Sequence, residues 1–287
     1  MSDLNTLLDR LSALPYQLYD AAVYHNGETA SRQFRPCNNA NNSYSVAKAF
    51  IMTAAGMLYD EGKLDPSQKV IDILRPFFPE HYDPAWEQVT IDHVLTHRIG
   101  FREGFLDIDC EDASLYPTDD YLSIVLSHEL PLAPGSTFVY SDAAIYLLSR
   151  IVSVLADEKA DDFLMNRLFR PMKFREAAWS RCPFGYPIGA TGLYITAKDM
   201  LKLPMLYLNR GVYGGKRYLS EEWCNLAVQR EYVFYAVDDG LFIDKGGMYG
   251  QLIRFAPEHD FAFALHAHEE TDMDELYAVI REFVLNS

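Results

Sequence analysis

Ser45 and Lys48 stand three positions apart in the segment Ser45-Val46-Ala47-Lys48. Because three residues make about one helical turn, a helix beginning here would hold the lysine amine beside the serine hydroxyl. A hydroxyl with a base beside it can act as a nucleophile, and a helix N-terminus favours the negative charge that develops on its oxygen. A structural interpretation stays open, in which Ser45 only caps the helix and Lys48 extends its amine to solvent.

Tyr140-Ser141-Asp142 is a second segment that could do chemistry, because it follows a turn-rich stretch over 131–136 and precedes a helical pattern over 143–155. A tyrosine in a loop that opens a helix can direct its phenol into a cleft and act as an acid or a base. The alternative is that Tyr140 is a half-buried aromatic and that Ser141 or Asp142 caps the helix.

The third segment is rich in glycine and reads Lys245-Gly246-Gly247-Met248-Tyr249-Gly250. Glycines let a backbone approach a ligand closely, and a lysine beside them can hold a carboxylate or tune a neighbouring proton donor. Considered alone, the segment is explained equally well as a turn between strands. Considered together, the three segments supply a nucleophile, a base, a proton route to a leaving group and backbone donors for an oxyanion.

Periodic patterns predict the elements that must position these residues. Helical patterns cover residues 3–13, 46–61, 143–155, 197–208 and 273–285, and strand-like patterns cover 16–23, 29–34, 250–255 and 261–266. The helix over 46–61 is apolar on all faces, which is typical of a central buried helix, and Gly62 follows as a stop signal. Asn26-Gly27 predicts a hairpin turn between the first two strands.

Strands at both ends of the chain and helices between them predict an α/β (α+β) fold. We expect a mainly antiparallel sheet built from both chain ends and flanked by helices, with an inserted all-helical subdomain. The sheet-containing part would comprise residues 1–62 and 188–287, and the helical part residues 63–187. The two parts would form one compact catalytic unit with the site in the cleft between them.

Charge excludes several classes of partner. Acidic residues outnumber basic ones by 41 to 25, which gives a net charge of −16. Such a chain repels phosphate backbones, so neither nucleic acid nor an anionic membrane is an expected partner. No apolar run reaches the roughly 18 residues of a membrane-spanning helix, and the N-terminal segment lacks a secretory-signal pattern. The sequence therefore predicts a cytoplasmic protein without a membrane span.

No metal and no cofactor are predicted, and the expected partner is a small-molecule substrate. The cysteines are far apart and lack a CxxC pattern, so we expect free thiols in a reducing compartment. His266 and His268 alternate along a strand and would share a face, but two ligands do not make a metal site. The oligomeric state stays open.

The three segments, in this order, resemble motifs of the serine β-lactamase and penicillin-binding-protein superfamily. The similarity is to its branch of class C-like β-lactamases, D-alanyl-D-alanine carboxypeptidases and esterases. Residues 45–48 resemble the SxxK motif, 140–142 the YxN motif and 245–247 the KTG or HxG motif. Residues 60–65, 94–100 and 192–199 resemble supporting stretches of the same family. The resemblance extends over about 16–284 and implies a β-lactamase/transpeptidase-like fold.

The resemblance also implies a role for each matching residue. Ser45 would be the acylated nucleophile, Lys48 and Tyr140 would share the general-base work, and Tyr140 would protonate the leaving group. The N–H groups of Ser45 and Met248 would form the oxyanion hole. Lys245 would bias the position of the Tyr140 proton and hold a substrate carboxylate.

Several positions depart from the family's pattern, including Arg98 and Ile99 in the stretch over 94–100, and two departures bear on the chemistry. Asp142 stands where the family has Asn, and an anion beside Lys48 would favour the charged amine and shift the base role to Tyr140. Gly246 replaces the Thr of KTG, which removes a hydroxyl that relatives use on a substrate carboxylate. The residues expected to contact the substrate are Gly246, Gly247, Met248 and Tyr249.

The sequence therefore predicts a serine hydrolase that acts through a covalent acyl-enzyme on a small ester or amide, of the esterase or D-amino-acid peptidase type. One alternative is β-lactamase or D,D-carboxypeptidase activity, which the missing hydroxyl at Gly246 and the missing export signal disfavour. A second alternative is a catalytically weak ligand-binding or sensor protein of the same fold, in which Asp142 keeps Lys48 charged.

Overall fold

Both ends of the chain supply strands to one sheet in the computed structural model, which describes residues 4–287. The predicted start of the first helix, at residue 3, lies outside the described range. The strands are β1 (Leu18–His25), β2 (Glu28–Gln33), β3 (Asn41–Asn42), β4 (Ala177–Trp179), β5 (Leu193–Ile195), β6 (Val212–Tyr213), β7 (Lys216–Arg217), β8 (Tyr235–Val237), β9 (Phe242–Gly247), β10 (Gln251–Ala256) and β11 (Phe261–Ala267).

Helices flank the sheet and fill the middle of the chain. They are α1 (Leu4–Ser12), α2 (Ala47–Asp60), α3 (Val70–Leu74), α4 (Ile91–Leu95), α5 (Tyr121–Leu126), α6 (Asp142–Ala156), α7 (Ala160–Leu164), α8 (Ala197–Met200), α9 (Lys202–Leu208), α10 (Glu221–Gln229) and α11 (Asp274–Leu285). Within residues 4–287, no helix is long and apolar enough to cross a bilayer.

The main sheet has six antiparallel strands in the order β2-β1-β11-β10-β9-β8, which confirms the predicted fold class. Its first hairpin turns at Asn26 and Gly27, whose φ angles of 49° and 87° are the left-handed values of a type I′ turn. A second, three-stranded sheet has the order β3-β5-β4. Its strands come from both sides of the predicted 187/188 boundary, because β4 lies in the part that was expected to be helical. The division of the chain into two parts stays a prediction.

The central helix α2 is buried on all faces, as its composition predicts. Every residue from 47 to 58 is buried, including Lys48. The helix ends before Gly62, whose φ of 68° suits a residue without a side chain. Because α2 begins two residues after Ser45, this buried helix fixes the backbone on which the candidate nucleophile stands.

Three elements differ from the sequence-based expectation. The predicted helix over 197–208 is two helices, α8 and α9, because Pro204 has no N–H to donate to the Met200 carbonyl. β9 was not among the predicted strands, and a turn was one interpretation of its glycine-rich end; it is a strand because it pairs with β10. α10 was not predicted, although Ser220 caps it and two glutamates open its first turn.

Candidate active site

The segment before α2 holds Ser45 in a single 3-10 turn, Tyr44–Val46. The Ser43 N–H donates to the Leu193 carbonyl at 2.8 Å, and the Tyr44 N–H donates to Asn42 Oδ1 at 3.0 Å. Tyr44 has a left-handed φ of 46°. The N-cap residue of α2 is Val46, and no side chain caps the helix. The Ser45 hydroxyl is therefore not used as a cap.

Lys48 does not reach solvent, because its side chain is 0% exposed. Its Nζ donates to Ser45 Oγ at 2.8 Å and to the Ala190 carbonyl at 2.9 Å, and it lies 2.7 Å from Asp142 Oδ1. Three acceptors match the three protons of an ammonium group. The structure therefore supports the interpretation in which Lys48 faces Ser45, and it contradicts the one in which Lys48 extends its amine to solvent.

Tyr140 lies directly before α6 and completes the contacts of the serine. Its hydroxyl donates to Ser45 Oγ at 2.9 Å and accepts a hydrogen bond from Lys245 Nζ at 3.3 Å. The amines of Lys48 and Lys245 lie 5.0 and 5.1 Å from the centre of its ring. The amines of two lysines therefore lie close to the Tyr140 ring.

Lys245 reaches this cluster from β9 and is only 5% exposed. Its neighbour Asp244 does not neutralise it by an ion pair, because alternation along the strand places Asp244 against Arg254, at 2.7 Å. Burial lowers the pKa of Lys245, although the Tyr140 hydroxyl acts in the opposite direction.

The charges shift the pKa values of the other two groups in opposite directions. Burial alone would lower the pKa of Lys48, but the Asp142 carboxylate and the Tyr140 hydroxyl together outweigh it and the pKa is raised. Burial alone would raise the pKa of Tyr140, but the charges of Lys245 and Lys48 and the hydrogen bond with Ser45 lower it. The Tyr140 phenol therefore loses its proton more readily than usual, as the Lys245 ammonium does, whereas the Lys48 ammonium holds its proton more firmly.

A close backbone contact between β9 and the Tyr44–Val46 turn explains why residue 247 is a glycine. A Cβ atom at this position would lie 2.7 Å from the Ser43 carbonyl oxygen and 3.2 Å from the Ser45 nitrogen. At Gly246 the nearest atom to a Cβ would be the Gln251 carbonyl oxygen, at 3.9 Å. The absence of a side chain at Gly247 thus lets β9 approach the backbone of Ser43 and Ser45.

Aromatic side chains lie beside the glycine-rich segment. Tyr249, which has a φ of 59°, packs edge-on against Tyr44 with ring centres 5.3 Å apart. Its other neighbour is His268, stacked at 4.5 Å. His266 is buried, with its ring nitrogens 2.7 Å from Gln251 Oε1 and 3.0 Å from the Ile195 carbonyl. The two histidines therefore have separate partners within the protein.

His97 packs against the ring of Tyr140, and the sequence alone does not reveal this contact. The two rings stack at 4.8 Å, and His97 Nδ1 accepts the Ser141 N–H at 3.3 Å. The His97 carbonyl accepts the Val139 N–H at 2.8 Å. Burial, with the nearby ammonium groups, lowers the pKa of His97 to about 3. The neutral imidazole of His97 thus holds the backbone after Tyr140, and the His97 carbonyl holds the backbone before it.

Asp107, Asp109 and Asp142 are the described residues that could hold a cation, since their carboxylate oxygens lie within 4.8 Å of one another. The Lys48 ammonium already balances part of this charge through Asp142. The sequence identifies the acidic run over 107–112, but not that it folds back onto Asp142.

Comparison with known proteins gives a consistent result. The Beta-lactamase family model matches residues 19–284. The chain is 29% identical to penicillin-binding protein 4 of Amycolatopsis lactamdurans, over 72% of this chain and 61% of that protein. It is 24% identical to 6-aminohexanoate-dimer hydrolase of Paenarthrobacter ureafaciens, over 62% of this chain and 48% of that protein. The chain therefore spans about half to three fifths of the length of these relatives.

The fold is shared with solved structures of low sequence identity. An octameric penicillin-binding protein homologue from Pyrococcus abyssi superposes with a TM-score of 0.77 and 16% identity, over 100% of this chain and 78% of that one. At that level of identity the likeness concerns the fold alone.

Proposed function

This chain belongs to the Beta-lactamase family, and we propose that it is a serine hydrolase that forms a covalent acyl-enzyme on Ser45. The observation that carries the proposal is the pair of hydrogen bonds that Ser45 Oγ accepts, from Lys48 Nζ at 2.8 Å and from the Tyr140 hydroxyl at 2.9 Å. A hydroxyl held between two proton-carrying groups can be deprotonated and later reprotonated without moving.

In the first step, ionised Tyr140 takes the Ser45 proton while Ser45 Oγ forms a bond to the substrate carbonyl carbon. The lowered pKa of Tyr140 favours this role, and the raised pKa of Lys48 makes the lysine a fixed positive charge. The carbonyl π electrons move to its oxygen, which accepts hydrogen bonds from the N–H groups of Ser45 and Met248.

In the second step, the bond to the leaving group breaks and Tyr140 returns the proton to that group. An ester of Ser45 remains. Water then gives a proton to Tyr140 and attacks the ester carbon, and the acid is released as Ser45 regains its proton. Lys245 stabilises the phenolate of Tyr140 in each of these steps, and its contact at 3.3 Å is the basis for this role.

The substrate class we propose is a small ester or amide. Gly246 offers no hydroxyl to a substrate carboxylate, and Tyr44 and Tyr249 form an apolar wall beside the serine. The curated relative that acts on a 6-aminohexanoate dimer is consistent with amide cleavage in this family. Similarity to a penicillin-binding protein keeps β-lactam turnover as a second candidate.

The test uses p-nitrophenyl acetate and a fluorescent penicillin, with intact-mass measurement of the wild type and of Ser45→Ala. We expect a burst and an acyl adduct on the wild type, and neither on Ser45→Ala. Ser43→Ala is the matched control, because Ser43 is buried two residues away and its Oγ has no hydrogen-bond partner in the described range. It should acylate like the wild type.

Each outcome separates the candidates. Turnover of the acetate ester with slow or absent turnover of the penicillin supports the esterase or amidase type, and the reverse supports a β-lactamase. If neither reagent labels the wild type above Ser45→Ala, the hydrolase proposal fails and a ligand-binding protein of the same fold remains.

A further inference from the structure

A cavity of about 500 Å³ lies at the β1–β2 end of the main sheet, away from Ser45. It is bounded by β1, β2, the loop over 173–176 and α8. Its basic lining residues are Arg32, Lys173, Arg175, Lys198 and Lys202. The lining also holds three acidic residues, Asp20, Glu176 and Asp199, so its basic residues are in excess in a chain whose net charge is −16.

The wall of this cavity is held in place by a buried carboxylate. Asp199 Oδ2 accepts the backbone N–H groups of Arg175 at 2.7 Å and Glu176 at 3.2 Å. Asp199 Oδ1 accepts from Lys202 Nζ at 2.6 Å, and the same amine donates to the Lys173 carbonyl at 2.7 Å. The loop that carries two of the basic residues is therefore fixed against α8.

Three of the five positive charges have no ion-pair partner. Lys202 is paired with Asp199, and Arg32 is paired with Asp9. Within residues 4–287, the side chains of Lys173, Arg175 and Lys198 make no hydrogen bond or ion pair. They stand on two walls of the cavity, so their charges add inside it.

Two carboxylates of the lining, Glu176 and Asp20, oppose the three unpaired cations without cancelling all of them. Asp20 lies on β1. Its Oδ2 accepts the Ala197 N–H at 3.3 Å, and its Oδ1 is buried with no hydrogen-bond partner in the described range. Burial raises the pKa of Asp20 to about 6, against the opposing effects of the Ala197 N–H and the Lys198 charge. At pH 7 most of this carboxyl group is still ionised, so the binding of an anion rests on the three unpaired cations.

We infer that this cavity binds a small molecule with two or more oxyanion charges, such as a polycarboxylate or a phosphate ester. The three unpaired cations of Lys173, Arg175 and Lys198 would bind the oxygens, and the volume suits a molecule of ordinary ligand size. Strands β11 and β10 separate β1 from β9, which puts about 14 Å between the strands that carry Asp20 and Lys245. The inference is independent of the proposed hydrolysis.

The test is calorimetric titration of Ser45→Ala with citrate and, separately, with pyrophosphate, at pH 7 and constant ionic strength. Using this variant keeps either probe from being consumed, and the wild type titrated in parallel should bind equally. We expect one saturable site. Combining Arg175→Ala with Lys198→Ala should weaken binding by about tenfold or more, since each exposed substitution removes a charge-assisted contact.

The matched control combines Arg102→Ala with Arg281→Ala, which removes the same charge from exposed positions outside the cavity. It should bind like the parent protein. Tighter binding of citrate identifies a carboxylate ligand, and tighter binding of pyrophosphate identifies a phosphate ligand. Absence of saturable binding of both probes, or equal weakening in both double variants, overturns the inference.

Discussion

Asp142 and Lys48 form an ion pair at the point where the serine needs a base, with Nζ and Oδ1 2.7 Å apart. A neutral Asn at this position could accept a hydrogen bond from the amine without attracting its proton. The carboxylate instead raises the pKa of Lys48, and its charge also opposes the lowering of the Tyr140 pKa. The pH at which Ser45 becomes reactive should therefore depend on this one carboxylate.

Asp142→Asn should move the acidic limb of the pH–rate profile to lower pH by about one unit or more. The direction of this shift follows from the effect of the Asp142 carboxylate on Lys48 and on Tyr140. Without the carboxylate the pKa of Lys48 falls, and the pKa of Tyr140 falls as well, so whichever group acts as base is available at lower pH. The measurement is kcat/KM for p-nitrophenyl acetate between pH 5 and pH 10.

Asp109→Asn is the control for this comparison, because it removes the same charge from the acidic cluster without touching Lys48 directly. Its profile should shift less than that of Asp142→Asn. An acidic limb that stays in place in Asp142→Asn would mean that neither Lys48 nor Tyr140 limits the rate by its protonation.

Residue types and their order were sufficient to predict that Ser45, Lys48, Tyr140 and Lys245 come together. Two further contacts could not be predicted, for a physical reason. The Ala190 carbonyl that accepts from Lys48 is backbone, which every residue possesses. His97 acts through the stacking of a ring and through a backbone N–H of a residue 44 positions away.

At the scale of elements, β9 lies close to the Tyr44–Val46 turn. This approach is possible because Gly247 has no side chain. Its φ of −131° is ordinary extended backbone, so the reason for glycine is space and not conformation. A turn was one interpretation of this glycine-rich segment. Its composition does not predict a strand, and the pairing of residues 243–247 with 251–255 of β10 makes it one.

Gly247→Ala should lower the free energy of unfolding by about 1–3 kcal/mol, because its Cβ would overlap the Ser43 carbonyl and push the strand away. Acylation of Ser45 should slow in the same variant, since Met248 would move with the strand. Urea unfolding at pH 7 and the burst rate with p-nitrophenyl acetate measure the two effects.

Gly246→Ala is the control for stability, because its Cβ would have 3.9 Å of clearance. Its free energy of unfolding should change by less than about 1 kcal/mol. Equal destabilisation by the two alanines would show that the strand loses stability from the change of residue and not from the contact with Ser43.

At the scale of the whole molecule, the main sheet separates two apolar cores. Side chains on one face of the sheet pack with α8 and α9 in the core that also contains α2 and α6, and those on the other face pack with α1 and α11. Lys245 pairs with Ile253 across β9 and β10, and Ile253 belongs to the core that contains α2. The second core is built from the two ends of the described chain and lies on the face opposite the serine.

This separation predicts that the second core controls stability without controlling catalysis. Leu8, on α1, is 0% exposed in that core. Leu8→Ala should lower the free energy of unfolding by about 2–5 kcal/mol, through lost burial and the cavity left behind. At a temperature where the variant is still folded, kcat for p-nitrophenyl acetate should equal that of the wild type.

Leu285→Ala is the control, at a position 48% exposed near the other chain end. It should change the free energy of unfolding by no more than about 0.5 kcal/mol. A fall in kcat of folded Leu8→Ala would instead mean that the sheet transmits packing changes from one face to the serine on the other.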